Sequence, residues 1–255
     1  MPPPKDFSAP NPNRSVASDP KDRLIVALDF PGGADALSLV DRLDGVCRWF
    51  KIGLELYLAA GEALVDELRS RGFSIFLDLK FHDIPNTVAA AVRSARRLGT
   101  QMLTVHAAGG RAMLQAAVEG AGQEANSPIV LAVTVLTSLD QNELEASGVF
   151  ATPAEQAARL AGMAIDCGVG GLVCSAEEVA NLRGMVGSHP LLVTPGIRPA
   201  GAAIGDQMRV ATPGAAIAAG ASYLVVGRPI TRAAAPAQAA QAILDEMSAA
   251  SETGR

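Results

Sequence analysis

Eight short runs rich in Val, Ile and Leu recur along this chain, each separated from the next by a stretch long enough to hold a helix. The runs are Leu24–Asp29, Trp49–Ile52, Ser74–Lys80, Met102–His106, Ile129–Leu136, Gly171–Cys174, Leu191–Pro195 and Tyr223–Gly227. No other feature limits the fold as strongly. Parallel strands cannot be joined by a tight turn, so each pair needs a crossover, usually a helix. Strands alternating with helices therefore read as an α/β fold with a parallel sheet. The count of eight points to a single-domain (β/α)8 TIM barrel, a fold of about 250 residues; this chain has 255. The alternative is a doubly wound open sheet. No G-x-G-x-x-G follows the first run, which argues against the dinucleotide-binding form of that sheet.

The intervening segments carry helical signals. After the third run, Asn86 or Thr87 is a candidate N-cap, and Val88, Val92, Ala95 and Leu98 recur at helical spacing. Arg96 and Arg97 fall in the last turn, where the helix dipole favours cations, and Gly99 can end the helix. Thr212 followed by Pro213 reads as an N-cap with proline at the first helical position.

Composition excludes several classes. Hydrophobic residues at 49% and charged residues at 18% describe a globular chain. It is long enough to bury a core without a disulfide or metal staple. A net charge of -5 without basic runs argues against nucleic acid as a partner. Cys47, Cys167 and Cys174 form no C-x-x-C pair, so neither a disulfide framework nor a zinc site is expected. The start lacks the apolar core of a signal peptide. The longest apolar run falls far short of the ~20 residues that span a bilayer. The expectation is a cytoplasmic protein with no membrane partner. Residues 1–20 differ from the rest: Pro2, Pro3, Pro4, Pro10, Pro12 and Pro20 are mixed with polar residues. Such a segment buries too little apolar surface to offset its ordering entropy, so it reads as a flexible extension. The barrel and its catalytic domain are expected over 21–255.

In such barrels the site forms at the C-terminal ends of the strands. Here the unusual residues collect at those ends: Asp29, Lys51, Asp78, Lys80, His106, Thr137, Ser138, Pro195, Arg198 and Arg228. Strand side chains alternate faces, so Asp78 and Lys80 should both point into the mouth, with Ile75, Leu77 and Leu79 turned to the helices. Charges in such a place are costly unless paired, which suggests an alternating array of Lys51, Asp78, Lys80 and Asp83. A lysine between carboxylates stays protonated and suits proton donation better than nucleophilic catalysis. A structural salt-bridge network at the barrel top is the plainer reading of the same residues. Gly227-Arg228 after the eighth run suits an anion, since loops after strands seven and eight often bind phosphate. The long Gly- and Ala-rich segment from Arg198 to Arg209, with Gln207 near its end, reads as a lid. His106 reads as a core histidine, and His82 as an orienting one. No metal-ligand spacing or nucleophile triad stands out.

The string Asp78-Leu-Lys-Phe-His-Asp-Ile-Pro-Asn-Thr87 closely resembles the signature of the orotidine 5′-phosphate decarboxylase family. Ala27-Leu28-Asp29, Lys51-Ile52-Gly53, Val135-Leu-Thr-Ser138, Thr194-Pro-Gly-Ile-Arg198, Gln207 and Val226-Gly-Arg228 resemble its other segments, in order. The resemblance implies a cofactor-free decarboxylation of orotidine 5′-phosphate to UMP in pyrimidine biosynthesis, by a homodimer. It implies that Lys80 protonates C6 and that Asp78 sits beside the substrate carboxylate. Asp29 and Lys51 would hold ribose hydroxyls, and Thr137, Ser138 and Pro195 would line the pyrimidine pocket. Arg198, Gln207, Gly227 and Arg228 would grip the phosphate. Asp83, Ile84 and Thr87 would reach into the partner's site. The rival enzyme reading is a Mg²⁺-dependent sugar-phosphate decarboxylase or synthase of the same barrel group. A silent nucleotide-binding barrel is the rival outside catalysis.

Overall fold

The computed structural model describes residues 19–199 and 211–253. Residues 1–18 of the Pro-rich segment and the lid candidate Gln207 lie outside the described residues. The eight strands are β1 (Leu24–Leu28), β2 (Trp49–Gly53), β3 (Ser74–Phe81), β4 (Met102–His106), β5 (Ile129–Val133), β6 (Gly171–Val173), β7 (Leu191–Thr194) and β8 (Tyr223–Val226). All pair in parallel, in sequence order, and β8 pairs back onto β1 to close the barrel.

The described helices are α1 (Gly33–Leu43), α2 (Leu54–Ser70), α3 (Pro85–Arg97), α4 (Gly110–Ala121), α5 (Gln141–Ala146), α6 (Pro153–Asp166), α7 (Val179–Val186), α8 (Pro213–Ala218), α9 (Arg228–Thr231) and α10 (Pro236–Thr253). Among the described residues no helix is long and apolar enough to cross a membrane. Helix α3 starts two or three residues earlier than the sequence suggests. Pro85 opens it, Ile84 is the N-cap and no side chain caps it, so Asn86 and Thr87 lie inside its first turn. Proline needs no partner for its missing N–H there, which makes the polar cap dispensable. Thr212 does cap α8, its hydroxyl accepting from the Ala215 N–H at 3.2 Å.

Period-two alternation divides the strands into two cores. Ile25, Ala27, Phe76, Met102, Leu131, Leu191, Val193, Tyr223 and Val225 fill the barrel interior. Their sequence neighbours, among them Leu24, Val26, Phe50, Leu77, Leu103 and Leu192, pack outward against the helices. Phe50 and Phe76 are fully buried on opposite sides of the sheet, each stabilising the fold by roughly 1.5–3 kcal/mol. The interior positions one step further along each strand form the mouth.

Two departures from regular pairing bear on the site. Strand β5 ends at Val133 rather than Leu136, and the Thr134 hydroxyl bonds the Val173 carbonyl at 3.2 Å. Strand β3 slips against β4: Leu77 pairs with Leu103, but the next partners are Phe81 and Val105. The slip coincides with Lys80, whose φ of 51° makes it the one described non-glycine residue in the left-handed region. At the seam, the Arg23 guanidinium donates to the Ala221 carbonyl at 2.8 Å, tying the start of the barrel to its end.

Candidate active site

The interior positions at the strand ends place four charges in one row. Asp29 follows β1, Lys51 lies in β2, and Asp78 and Lys80 lie in β3. The Lys51 ammonium stands 3.0 Å from Asp29 and 3.5 Å from Asp78. The Lys80 ammonium stands 2.9 Å from the other oxygen of Asp78. The order is acid, base, acid, base. Thr104, one interior position before His106, completes the row: its hydroxyl donates to Asp78 at 3.0 Å and accepts the Lys80 backbone N–H at 2.9 Å. That hydroxyl thus holds both the carboxylate and the unusual backbone of Lys80. A left-handed lysine costs of order 1–3 kcal/mol and persists where surrounding contacts fix it.

Burial sets the electrostatics. For Asp78, burial pushes the carboxyl up, but Lys51, Lys80 and the Thr104 hydroxyl outweigh it and hold the group below the usual carboxylate range. For Lys51, burial pushes the ammonium down, and Asp78 and Asp29 outweigh that in turn, so it stays protonated above its ordinary value. Gly53 keeps this arrangement possible. A Cβ there would sit 3.0 Å from the Lys51 Nζ, tight enough to press on the ion pair.

The predicted array is corrected at its fourth member. Asp83 does not join it: it is exposed, its carboxylate accepts the Ile84 N–H, and among the described residues it forms no ion pair. Asp83, Ile84 and Thr87 follow the end of β3 at Phe81 and are exposed. With His82, Asp83 and Ile84 border a separate shallow concavity. His82 and His106 face one another with ring centroids 5.5 Å apart. Burial, then His82 and Lys80, lower His106 below the usual histidine value.

The mouth opens into a cavity of about 480 Å³. Asp29, Lys51, Asp78 and Lys80 line one part of it. Pro195, Arg198, Gly227 and Arg228 line another, and Thr137 borders it. Ser138 is exposed and is not among the lining residues, because the chain has already left β5. Arg198 is buried, its guanidinium donating to the Ile197 carbonyl at 2.8 Å. Burial and then Arg228 lower its basicity, so two guanidiniums repel one another at this end. An anion between them would relieve that repulsion.

A family model described as orotidine 5′-phosphate decarboxylase / HUMPS family matches residues 22–243. The orotidine 5′-phosphate decarboxylase of Halorhodospira halophila is 55% identical over 229 residues, covering 89% of this chain and 97% of that protein. The chain belongs to the orotidine 5′-phosphate decarboxylase / HUMPS family. The decarboxylase of that name from Chromobacterium violaceum is 51% identical, with 88% of this chain and 91% of that protein covered. The crystal structure of orotidine 5′-phosphate decarboxylase from Lactobacillus acidophilus superposes with a TM-score of 0.79 at 40% identity, over 88% of this chain and 98% of that one. Within the family this chain is an enzyme of the decarboxylase kind, a carboxy-lyase.

Sequence reasoning missed several contributors. Thr104 was legible from the alternation that places His106 at the mouth. Arg232 lies four residues beyond Arg228, one helical turn along the same face, and lines the cavity with it. Phe76, at the cavity floor, follows from the same alternation as Asp78.

Proposed function

We propose that this chain converts orotidine 5′-phosphate to UMP in pyrimidine biosynthesis, without a cofactor, and that Lys80 delivers the proton to C6. The observation that carries this reading is the acid–base row ending in Lys80. Breaking the bond from C6 to the carboxylate leaves its electron pair on C6, where the pyrimidine has no electron sink. A fixed cation beside that carbon stabilises the developing charge without reorganising. The Lys80 ammonium then gives its proton to C6 as CO₂ leaves, and water restores the proton. Lys51 keeps Asp78 ionised from the far side, leaving the Lys80 ammonium directed at the substrate.

Asp78 would stand beside the substrate carboxylate. Two carboxylates about 4 Å apart repel by roughly 4 kcal/mol at an effective dielectric of 20. That repulsion is relieved as the carboxylate departs as neutral CO₂, so it favours the transition state over the bound substrate. Asp29 and Lys51 would hold ribose hydroxyls, and Pro195, Thr137 and Ser138 would border the pyrimidine. Gly227, Arg228, Arg198 and Gln207 would bind the phosphate. Since the phosphate is remote from C6, its binding energy can orient the base and close the loop after Arg198.

Asp83, Ile84 and Thr87 fit the reading through a second copy of the chain. They are exposed, away from their own cavity, and Ile84 leaves 67% of its surface open. An apolar side chain beside a carboxylate on an exterior rim suits insertion into a partner's mouth.

The test is decarboxylation of orotidine 5′-phosphate, followed by its ultraviolet change, with EDTA present and Lys80→Ala as control. Rapid turnover that needs Lys80 supports the reading. Substantial turnover by folded Lys80→Ala removes Lys80 from its role. Turnover that requires Mg²⁺ favours the sugar-phosphate relatives. Against that outcome stands Lys51, whose ammonium occupies the space between Asp29 and Asp78 that a divalent cation would need.

A further inference from the structure

Arg232 has no role in the reading above, yet it lines the same cavity as Arg198 and Arg228. Its backbone N–H bonds the Arg228 carbonyl at 3.1 Å, so the two arginines stand one turn apart at the close of α9. Most of the other described arginines hold a side-chain partner. Arg48 holds Asp22, Arg71 holds Asp41, Arg96 holds Glu124 and Arg111 holds Asp166. Arg23 and Arg183 are committed to backbone carbonyls. Among the described residues, Arg232 has neither kind of partner, and it is exposed.

The surrounding charge gives this arginine a purpose. The chain carries a net charge of -5. The substrate of the proposed reaction carries about three negative charges, up to two on the phosphate and one on the carboxylate. Overall the protein repels its substrate, and Glu55 adds a carboxylate to the cavity lining. Charges arranged at a low-dielectric cleft can still draw an anion in against the net charge. Arg198 is buried, and so acts mainly on an anion already inside. Arg232 is exposed at the entrance.

We propose that Arg232 is a substrate-capture residue: it attracts the phosphate-bearing trianion to the mouth and orients its phosphate toward Arg228, without touching the chemical step. It is a positioning residue, raising kcat/KM and leaving kcat alone. A guanidinium about 10 Å from a trianion gives about a fivefold gain at ~10 mM ionic strength and about twofold at ~0.15 M. The gain does not require diffusion-limited turnover, because the same attraction raises the population of the encounter complex.

The experiment measures kcat and kcat/KM for wild type, Arg232→Gln and Arg232→Glu across that range of salt. The expected result is a kcat/KM about fivefold lower for the glutamine variant at low salt and about twentyfold lower for the glutamate variant. Both deficits shrink as salt rises, with kcat unchanged. A structural role would lower kcat or give a salt-independent loss, and either result overturns the proposal, as does an unchanged kcat/KM at low salt. The proposal rests on the decarboxylase reading, and the two fail differently. A wild type that does not turn over orotidine 5′-phosphate sinks the reading itself. Normal wild-type turnover with indifferent Arg232 variants sinks only the capture role.

Discussion

Replacing Lys51 with methionine should destabilise the barrel in a way that depends on pH. Methionine keeps most of the apolar stem and removes the charge. The lysine side chain is 11% exposed, between Asp29 at 61% and Asp78 at 12%. The Asp29 contact is largely solvated and is worth at most ~1 kcal/mol. The Asp78 contact is buried. Removing one partner of such a pair costs about 3–5 kcal/mol, since it strands the other charge. Lys80 remains at 2.9 Å from Asp78, so the low end, about 3 kcal/mol, is the expected loss at neutral pH. For a chain of this size that lowers Tm by about 6–12 °C. The sign with pH follows from Asp78. In the native protein its carboxyl is held below the ordinary value, so its contribution is full above that value and disappears only as pH falls through the lowered one. Without Lys51, burial dominates and pushes the carboxyl up. The folded variant then binds a proton that the unfolded chain does not, and gains stability as pH falls from neutral toward the ordinary carboxylate value. The gap to wild type should therefore narrow between pH 8 and pH 5. Adding Asp78→Asn should recover much of the loss at pH 8. Thermal unfolding followed by circular dichroism checks all three proteins. Equal losses at both pH values, with no recovery from Asp78→Asn, would refute the reasoning.

Lys80→Gly should be more stable than Lys80→Ala by about 1 kcal/mol, because glycine accepts the left-handed backbone freely; thermal unfolding of the two variants measures the difference. Arg228→Ala should weaken UMP by about 1.5–3 kcal/mol, the scale of a charge-assisted hydrogen bond. Titration calorimetry giving unchanged affinity would exclude a phosphate contact. If Asp83 serves a partner's site, mixing Lys80→Ala and Asp83→Ala subunits should restore part of the activity that each lacks. No rescue in purified heterodimers would mean that each mouth works with its own residues.

The sequence carried most of the scaffold because alternation, burial and strand count act locally and agree with one another. All eight runs became strands, and Asp29, Lys51, Asp78 and Lys80 reached one mouth because the period of two leaves an interior residue little choice. Lys80 shows where that logic stops. Its left-handed φ coincides with the slip of β3 against β4 and with the Thr104 hydrogen bond, and no glycine or asparagine stands at that position to mark it. Asp83 lies past the end of β3 and outside the array, so a residue two or three positions past a strand could not be placed by extrapolation. Ser138 was equally beyond extrapolation: β5 ends at Val133, and four residues separate it from the strand. At β8 the outcome followed the pattern, since Gly227 and Arg228 directly follow its last residue.

The seam between β1 and β8 makes the order of assembly a problem in its own right. Leu24 pairs with Leu224, two hundred positions later, and the Arg23 guanidinium reaches the Ala221 carbonyl. Contacts this distant in sequence form slowly, because a large loop must close before any of them is rewarded. During synthesis the Leu24–Leu28 strand emerges early, and its closing neighbour is among the last elements to leave the ribosome. Until then an apolar strand edge is exposed, the kind of surface that pairs with other chains. A chain shortened before Tyr223 is consequently an open sheet with two bare edges, one of them β1, and should be recovered in aggregates rather than as a smaller catalyst.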